Sequence, residues 1–146
     1  MFLTPAQYLT FLKDPTYYKQ VSDLLQEAFA YRGVQYFVHA GGFFVALRTT
    51  GKEVIACARI SRMFGSTGSY LIRNIVVGIG HRGKGLCPKL LEEALRELKK
   101  KGATRLYLDV DPENAPAVRC YTGVGFVPAG TRTYNEKKYT RMVKEF

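Results

Sequence analysis

The sequence has little of what metal sites, disulfide frameworks and membrane spans are built from. Only two histidines, His39 and His81, occur in 146 residues, too few to suggest a structural metal. Three cysteines, Cys57, Cys87 and Cys120, form an odd and scattered set without a C-x-x-C pair. That argues against both a disulfide framework and a zinc site. No apolar run approaches the ~20 residues that span a bilayer. The first residues, MFLTPAQYLTFLKDP, have neither a basic leader nor a small-residue cleavage site, so no signal peptide is expected. A cytoplasmic protein with no membrane partner is the expectation. Acidic residues are also scarce, 12 against 22 basic ones, for a net charge of +10. The imbalance is uneven: residues 1–58 hold five basic and four acidic side chains, residues 59–146 seventeen and eight. A positive field over the second part suits a polyanionic ligand, either a nucleic acid or a cofactor carrying several phosphates. The run Lys99 to Lys101 has a plainer reading, because cations favour a helix C-terminus.

What is present is patterned for one globular domain, residues 1–146, with no repeat, low-complexity tract or linker. Thr4-Pro5 starts a helix that should stop at Asp14-Pro15, and a second helix is expected from about Thr16 to Tyr31. The period then changes. FFVALR from Phe43 and VIACARI from Val54, separated by TTGK, read as a hairpin, and YLIRNIVV from Tyr70 to Val77 reads as a further strand. Leu86, Leu90, Leu91, Ala94, Leu95 and Leu98 line one face of a helix that Gly102 ends. RLYLDV alternates Leu106, Leu108 and Val110 against Arg105, Tyr107 and Asp109. A short helix is expected from near Asn114, breaking at Gly123 and Gly125. Two strands follow, around Phe126 to Tyr134 and Lys138 to Glu145. The order, ααββ then βαβ then αββ, implies an α+β fold with one parallel crossover.

That crossover carries GIGHRGKGLCPKLL, from Gly78 to Leu91, which answers to three phosphate-binding patterns. Gly78, Gly80 and Gly83 spell G-x-G-x-x-G. Gly78 to Lys84 spell G-x-x-x-x-G-K, but Gly85 stands where a P-loop needs a hydroxyl for magnesium. The dinucleotide pattern comes past the middle of the chain, leaving too little sequence for a doubly wound sheet. In the third pattern, Arg82-Gly83-Lys84-Gly85-Leu86-Cys87 wraps consecutive amides around one anion at a helix N-terminus.

About thirty residues on stand Asn114, Ala117, Tyr121 and then Gly125-Phe126, and the chain closes with YTRMVKEF. Together with R-x-x-G-x-C this resembles the GNAT (Gcn5-related) N-acetyltransferases, over roughly Phe43 to the C-terminus. Cys87 stands where the family usually has Gly or Ala, Ile79 where the loop often has proline, and no first strand precedes the two N-terminal helix patterns. The resemblance implies a GNAT-like fold: a mixed, mostly antiparallel sheet with helices on both faces and a V-shaped splay between the family's fourth and fifth strands, here YLIRNIVV and RLYLDV. It implies acetyl-CoA as co-substrate and no metal. The pantetheine arm would pair with the backbone of Ile75, Val76 and Val77. The pyrophosphate would sit on the amides of Arg82, Gly83, Lys84, Gly85, Leu86 and Cys87, with Asn114 touching the cofactor. Tyr121 would protonate the leaving CoA thiolate, and a primary amine of a small molecule or protein would attack directly, with no covalent enzyme intermediate.

The general base stays open. Many family members carry a glutamate on the fourth strand, where this chain has Arg73-Asn74; Asp109 and Asp111 could act through water, although Asp111 before Pro112 reads first as a turn residue. Two other readings stand beside this one. One is a silent CoA-binding relative. The other is a basic nucleic-acid-binding domain, against which the basic residues are spread over helices and strands with no reading element. A monomer or homodimer acting on an amine acceptor is the expectation.

Overall fold

The computed structural model describes residues 43–48 and 54–146. The two helices expected before Tyr31 and the turn at TTGK lie outside the described residues. Among the described residues six strands form one sheet: β1 (Phe43–Arg48), β2 (Val54–Arg62), β3 (Ser69–Val77), β4 (Arg105–Val110), β5 (Val127–Tyr134) and β6 (Lys137–Glu145), in the order β1-β2-β3-β4-β6-β5. Two helices join them, α1 (Leu86–Lys100) between β3 and β4, and α2 (Ala115–Val124) between β4 and β5. Every strand pair is antiparallel except β3 with β4, which α1 connects as a crossover.

The parallel pair is short, and this creates the site. Only Ser69, Tyr70 and Leu71 of β3 meet partners on β4, namely Arg105, Leu106 and Tyr107. Beyond Leu71 the strands part. On its other side β3 stays paired with β2, but there Ala58 faces two residues, Asn74 and Ile75, where the register slips between Cys57 and Arg59. Asn74 takes φ +54° at this bulge, a left-handed conformation that asparagine tolerates better than most side chains. The bulge bends β3 away from β4, giving the splay that the resemblance implied.

The core sits between α1 and the sheet. Leu90, Leu91, Ala94 and Leu98 are buried on the inner face of α1, against Val45, Ala58, Ile60, Ile72, Leu106 and Leu108 among others. On β4, Leu106, Leu108 and Val110 are buried while Tyr107 and Asp109 are half-buried on the opposite face, as the alternation required. Of the two glycines expected to break α2, only Gly125 does. Gly123 lies inside the helix, and Gly125, at φ +108°, ends it by bonding its N–H to Thr122 O and positioning Phe126 N–H on Tyr121 O. β5 and β6 meet through Asn135 and Glu136, both at positive φ, the geometry of a tight hairpin turn.

Candidate active site

Between β3 and α1 the chain passes through Gly78, a short 3-10 turn from Ile79 to His81, and Arg82 to Gly85. The backbone separates the three overlapping glycine patterns. Gly78 has φ −57° and Gly80 is not in the left-handed region, so neither position requires glycine for its φ. Gly83 at +75° and Gly85 at +74° do. Gly83 is shared by the two rival patterns, but Gly85 is the fixed glycine of R-x-x-G-x-C alone, and the conformation demands it, while it does not demand the Gly78 and Gly80 that the dinucleotide pattern requires. At Gly83 and at Gly85 a Cβ would meet nothing within 4 Å, so open space lies above the loop. Arg82 Nε donates to Val77 O at 3.0 Å, tying the loop back to the end of β3.

Gly85 is the N-cap of α1 and no side chain caps the helix. Its first turn, Leu86, Cys87 and Pro88, offers amides at Leu86 and Cys87 while Pro88 has none, and the dipole adds partial positive charge there. Facing the loop is α2. Asn114 caps it, its Oδ1 accepting from Ala117 N–H at 3.3 Å. Tyr121 lies two turns further on, almost buried, edge-on to Phe126 at a centroid distance of 6.4 Å. Burial pushes its phenol up to about 12, which keeps it protonated at neutral pH.

A cavity of about 390 Å³ brings these parts together. Ile75, Val77, Arg82, Gly83, Gly85, Leu86 and Cys87 line it from the loop side, Asn114, Cys120 and Tyr121 from the α2 side. Two of the expected residues stay out of it. The Val76 side chain is buried away from the cavity, so that residue can offer backbone only, and the Lys84 side chain is exposed outside the lining. A second, smaller cavity of about 170 Å³ occupies the splay and is lined by Arg73, Asn74, Asp109 and Asp111. It shares Ile75, Asn114, Ala117 and Tyr121 with the first, so Tyr121 stands where the two cavities meet.

The two aspartates are not idle carboxylates. Burial alone would raise Asp109, but hydrogen bonds from Arg141 and Tyr134 and the charges of Arg141 and Arg132 outweigh it and hold the group below the usual range. Arg141 grips it bidentately, Nε to Oδ1 at 2.8 Å and the terminal nitrogen to Oδ2 at 2.9 Å, and the Tyr134 hydroxyl donates at 2.9 Å. Asp111 bonds Lys137 at 2.7 Å and accepts from Glu113 N–H at 2.9 Å; both interactions lower it, the lysine the more. Its role as a turn residue holds. The sequence did not point to Arg141, Tyr134 or Lys137. The signal that could have found Arg141 is the antiparallel pairing of β4 with β6, which sets Asp109 opposite it.

One expectation is overturned. Cys87 and Cys120 are joined as a disulfide, with Cα atoms 6.4 Å apart, although an odd and scattered set of cysteines argued against a disulfide framework. The pairing arises from the packing of α1 on α2, which no local spacing encodes. Cys57 remains free and buried.

Among the described residues no helix is long and apolar enough to cross a membrane. Residues 7–126 match the acetyltransferase (GNAT) family. Among curated relatives, streptothricin acetyltransferase of Streptomyces lavendulae is 41% identical over 59 residues, 40% of this chain and 31% of its own length. The [ribosomal protein bS18]-alanine N-acetyltransferase of Escherichia coli (strain K12) is 39% identical over 59 residues, 40% of each chain. The matched stretches thus span well under half the length of these relatives. An aminoglycoside 6'-N-acetyltransferase solved in complex with coenzyme A superposes with a TM-score of 0.75 at 15% identity, over 91% of this chain and 92% of the other, which establishes the shared fold.

Proposed function

The chain belongs to the acetyltransferase (GNAT) family, and we propose that it is an acetyl-CoA-dependent N-acetyltransferase acting on a primary amine through direct attack. The observation that carries this reading is the single cavity joining the left-handed glycines Gly83 and Gly85 to Asn114 and Tyr121. Acetyl-CoA supplies the acetyl thioester and leaves as the CoA thiol. The residues fit it: the open space over Gly83 and Gly85 admits a pyrophosphate onto the amides of residues 82–87, and Arg82 adds charge beside it. The β3 backbone at Ile75 to Val77, freed from β4 by the splay, is available to pair with the pantetheine amides, and Asn114 lines the same path.

Tyr121 then faces the departing sulfur. With its phenol near 12 and a thiol near ~8.5, proton transfer from the phenol alone is uphill, so the hydroxyl acts as a hydrogen-bond donor that stabilises the developing thiolate. It relays to the sulfur the proton that the amine nitrogen loses as the amide forms, ending protonated itself. The acceptor enters from the splay side, where the smaller cavity meets Tyr121. Its amine must arrive neutral. Asp109 and Asp111 are each held in their ionised form by basic partners, which makes them weak bases. An amine of pKa near ~8 needs only about 1 kcal/mol to lose its proton at pH 7, against about 4–5 kcal/mol for a lysine side chain. The site therefore favours an α-amine or a weakly basic amine of a small molecule.

Thermal unfolding with acetyl-CoA, ATP, NAD and a short DNA duplex at equal concentration tests the assignment. Acetyl-CoA at about 100 times its Kd adds about 2.7 kcal/mol of stability, and the other three leave the transition unmoved. Stabilisation by NAD or DNA with none from acetyl-CoA would refute it.

A further inference from the structure

Direct acetyl transfer has no use for a cysteine, yet two of the three line the cleft. Cys87 is the second residue of α1, in the turn whose amides are offered to the anion, and Cys120 immediately precedes Tyr121 on α2. Both are half-exposed and both face the larger cavity, so a solute entering the cleft reaches their bond. The third cysteine differs in every respect. Cys57 is fully buried on β2, the strand between β1 and β3, and burial pushes its thiol up to about 12, leaving it inert to exchange.

We propose that Cys87 and Cys120 form a reversible dithiol–disulfide site in the wall of the cleft, exchanging with small thiols and disulfides that enter it and coupled to occupancy of the cleft by acetyl-CoA. The proposal rests on the reading of this cleft as the acetyl-CoA site. The exchange is directional. A small thiolate attacks Cys120 Sγ, the bond to Cys87 breaks, and Cys87 departs as a thiolate favoured by the N-terminus of α1. The product is a mixed disulfide on Cys120. A second thiolate attacks that bond, forming the small-molecule disulfide and releasing Cys120, which takes a proton from water. Two electrons pass from two small thiols to the protein, and a small disulfide such as oxidised glutathione reverses every step.

The coupling follows from what the bridge joins. α1 carries the loop amides, α2 carries Asn114 and Tyr121, and the bond fixes their separation across the cleft. The bridged form holds both walls at the spacing in which the cavity is open. In the dithiol form the ligand must order them. Acetyl-CoA consequently binds the bridged form more tightly, and by linkage it makes the bridge harder to reduce by the same factor. A tenfold difference in affinity corresponds to about 30 mV in the midpoint potential.

The test uses the full chain, oxidised with glutathione disulfide or reduced with dithiothreitol. Native thiol titration should find no reactive thiol in the first and two in the second, with Cys57 reacting only after denaturation. Calorimetry should give an acetyl-CoA affinity about tenfold weaker for the reduced protein, within the usual span of coupling between sites. Saturating acetyl-CoA should slow reduction of the bridge, read by alkylation and mass spectrometry. In Cys87→Ser and in Cys120→Ser the affinity should no longer depend on the reductant. Failure of glutathione disulfide to form the bridge would overturn the proposal. So would acetyl-CoA binding both forms equally while leaving the reduction rate unchanged, an outcome that spares the cofactor assignment. Absence of acetyl-CoA binding to either form would refute that assignment and this proposal with it.

Discussion

Glycine is informative here only where the backbone needs it. Four glycines crowd the stretch from Gly78 to Gly85 that spells the dinucleotide fingerprint and most of a P-loop, but only Gly83 and Gly85 adopt left-handed angles. The competing motifs therefore make opposite forecasts for the same two positions. Gly80→Ala should leave acetyl-CoA affinity within about twofold, since the site has open space and ordinary angles. Gly85→Glu should lose binding altogether, because it sets a carboxylate in the anion's place and costs about 1–2 kcal/mol of stability at φ +74°. Isothermal calorimetry on both variants decides it, and a loss of affinity at Gly80 would return the loop to the dinucleotide reading. Tyr121 is the other residue whose substitution is diagnostic. Tyr121→Phe keeps the packing on Phe126 and removes only the hydroxyl, so kcat should fall by about 10²- to 10⁴-fold with acetyl-CoA affinity retained. An unchanged kcat would dismiss the phenol from the chemistry.

At the scale of elements, the sequence was most legible where a single period rules a segment. α1 shows its inner face as leucines and alanine at helical spacing, and β4 shows alternation; both lie where the pattern put them. The loop and the Asn114 cap were legible through local chemistry, since glycines, a cap and a helix start all act within a few residues, whereas Tyr121 was singled out only by the family resemblance. What was illegible depends on contacts between distant segments. The bulge at Asn74 is set by how β2 pairs, not by anything in NIVV itself. The Cys87–Cys120 bridge depends on α1 meeting α2. The Asp109–Arg141 pair needs β6 placed beside β4, so a residue that could have been a base turned out to hold two strands together. That last contact is testable. Arg141 is buried and Asp109 half-buried, with side-chain exposures of 8% and 14%, so Arg141→Ala leaves the carboxylate with Tyr134 as its remaining partner and should cost about 1–3 kcal/mol in denaturant unfolding. In the wild-type chain Asp109 has a lowered pKa, so its contribution is complete above the unfolded value of about 4 and is lost as pH falls below it. An acid transition in wild type that is blunted in Asp109→Asn would show this, and one of equal size in both would refute it.

At the scale of the whole molecule, the +10 charge and its concentration after Arg59 had two readings, and they differ in how they respond to salt. A nucleic-acid surface that neutralises 6–10 phosphates would lose about 10³- to 10⁵-fold in affinity between about 50 and 200 mM salt. A cleft built for one small polyanion has less to lose. On the proposed reading its pyrophosphate would be held by backbone amides, a helix N-terminus and Arg82, which act at short range, and the surrounding lysines and arginines would contribute mainly a long-range field. That field is cut to a range of about 10 Å at 0.1 M salt. Stopped-flow binding of acetyl-CoA should accordingly show the association rate falling several-fold over the same salt interval while the dissociation rate barely moves, because screening weakens attraction at a distance more than contact at the loop. A dissociation rate that rose as steeply as the association rate fell would mean that surface charges hold the ligand directly, and the loop would lose its claim to be the anion site. If only the approach is screened, the basic half of the chain acts as a funnel for acetyl-CoA, and Gly83, Gly85 and the first amides of α1 are what retain it.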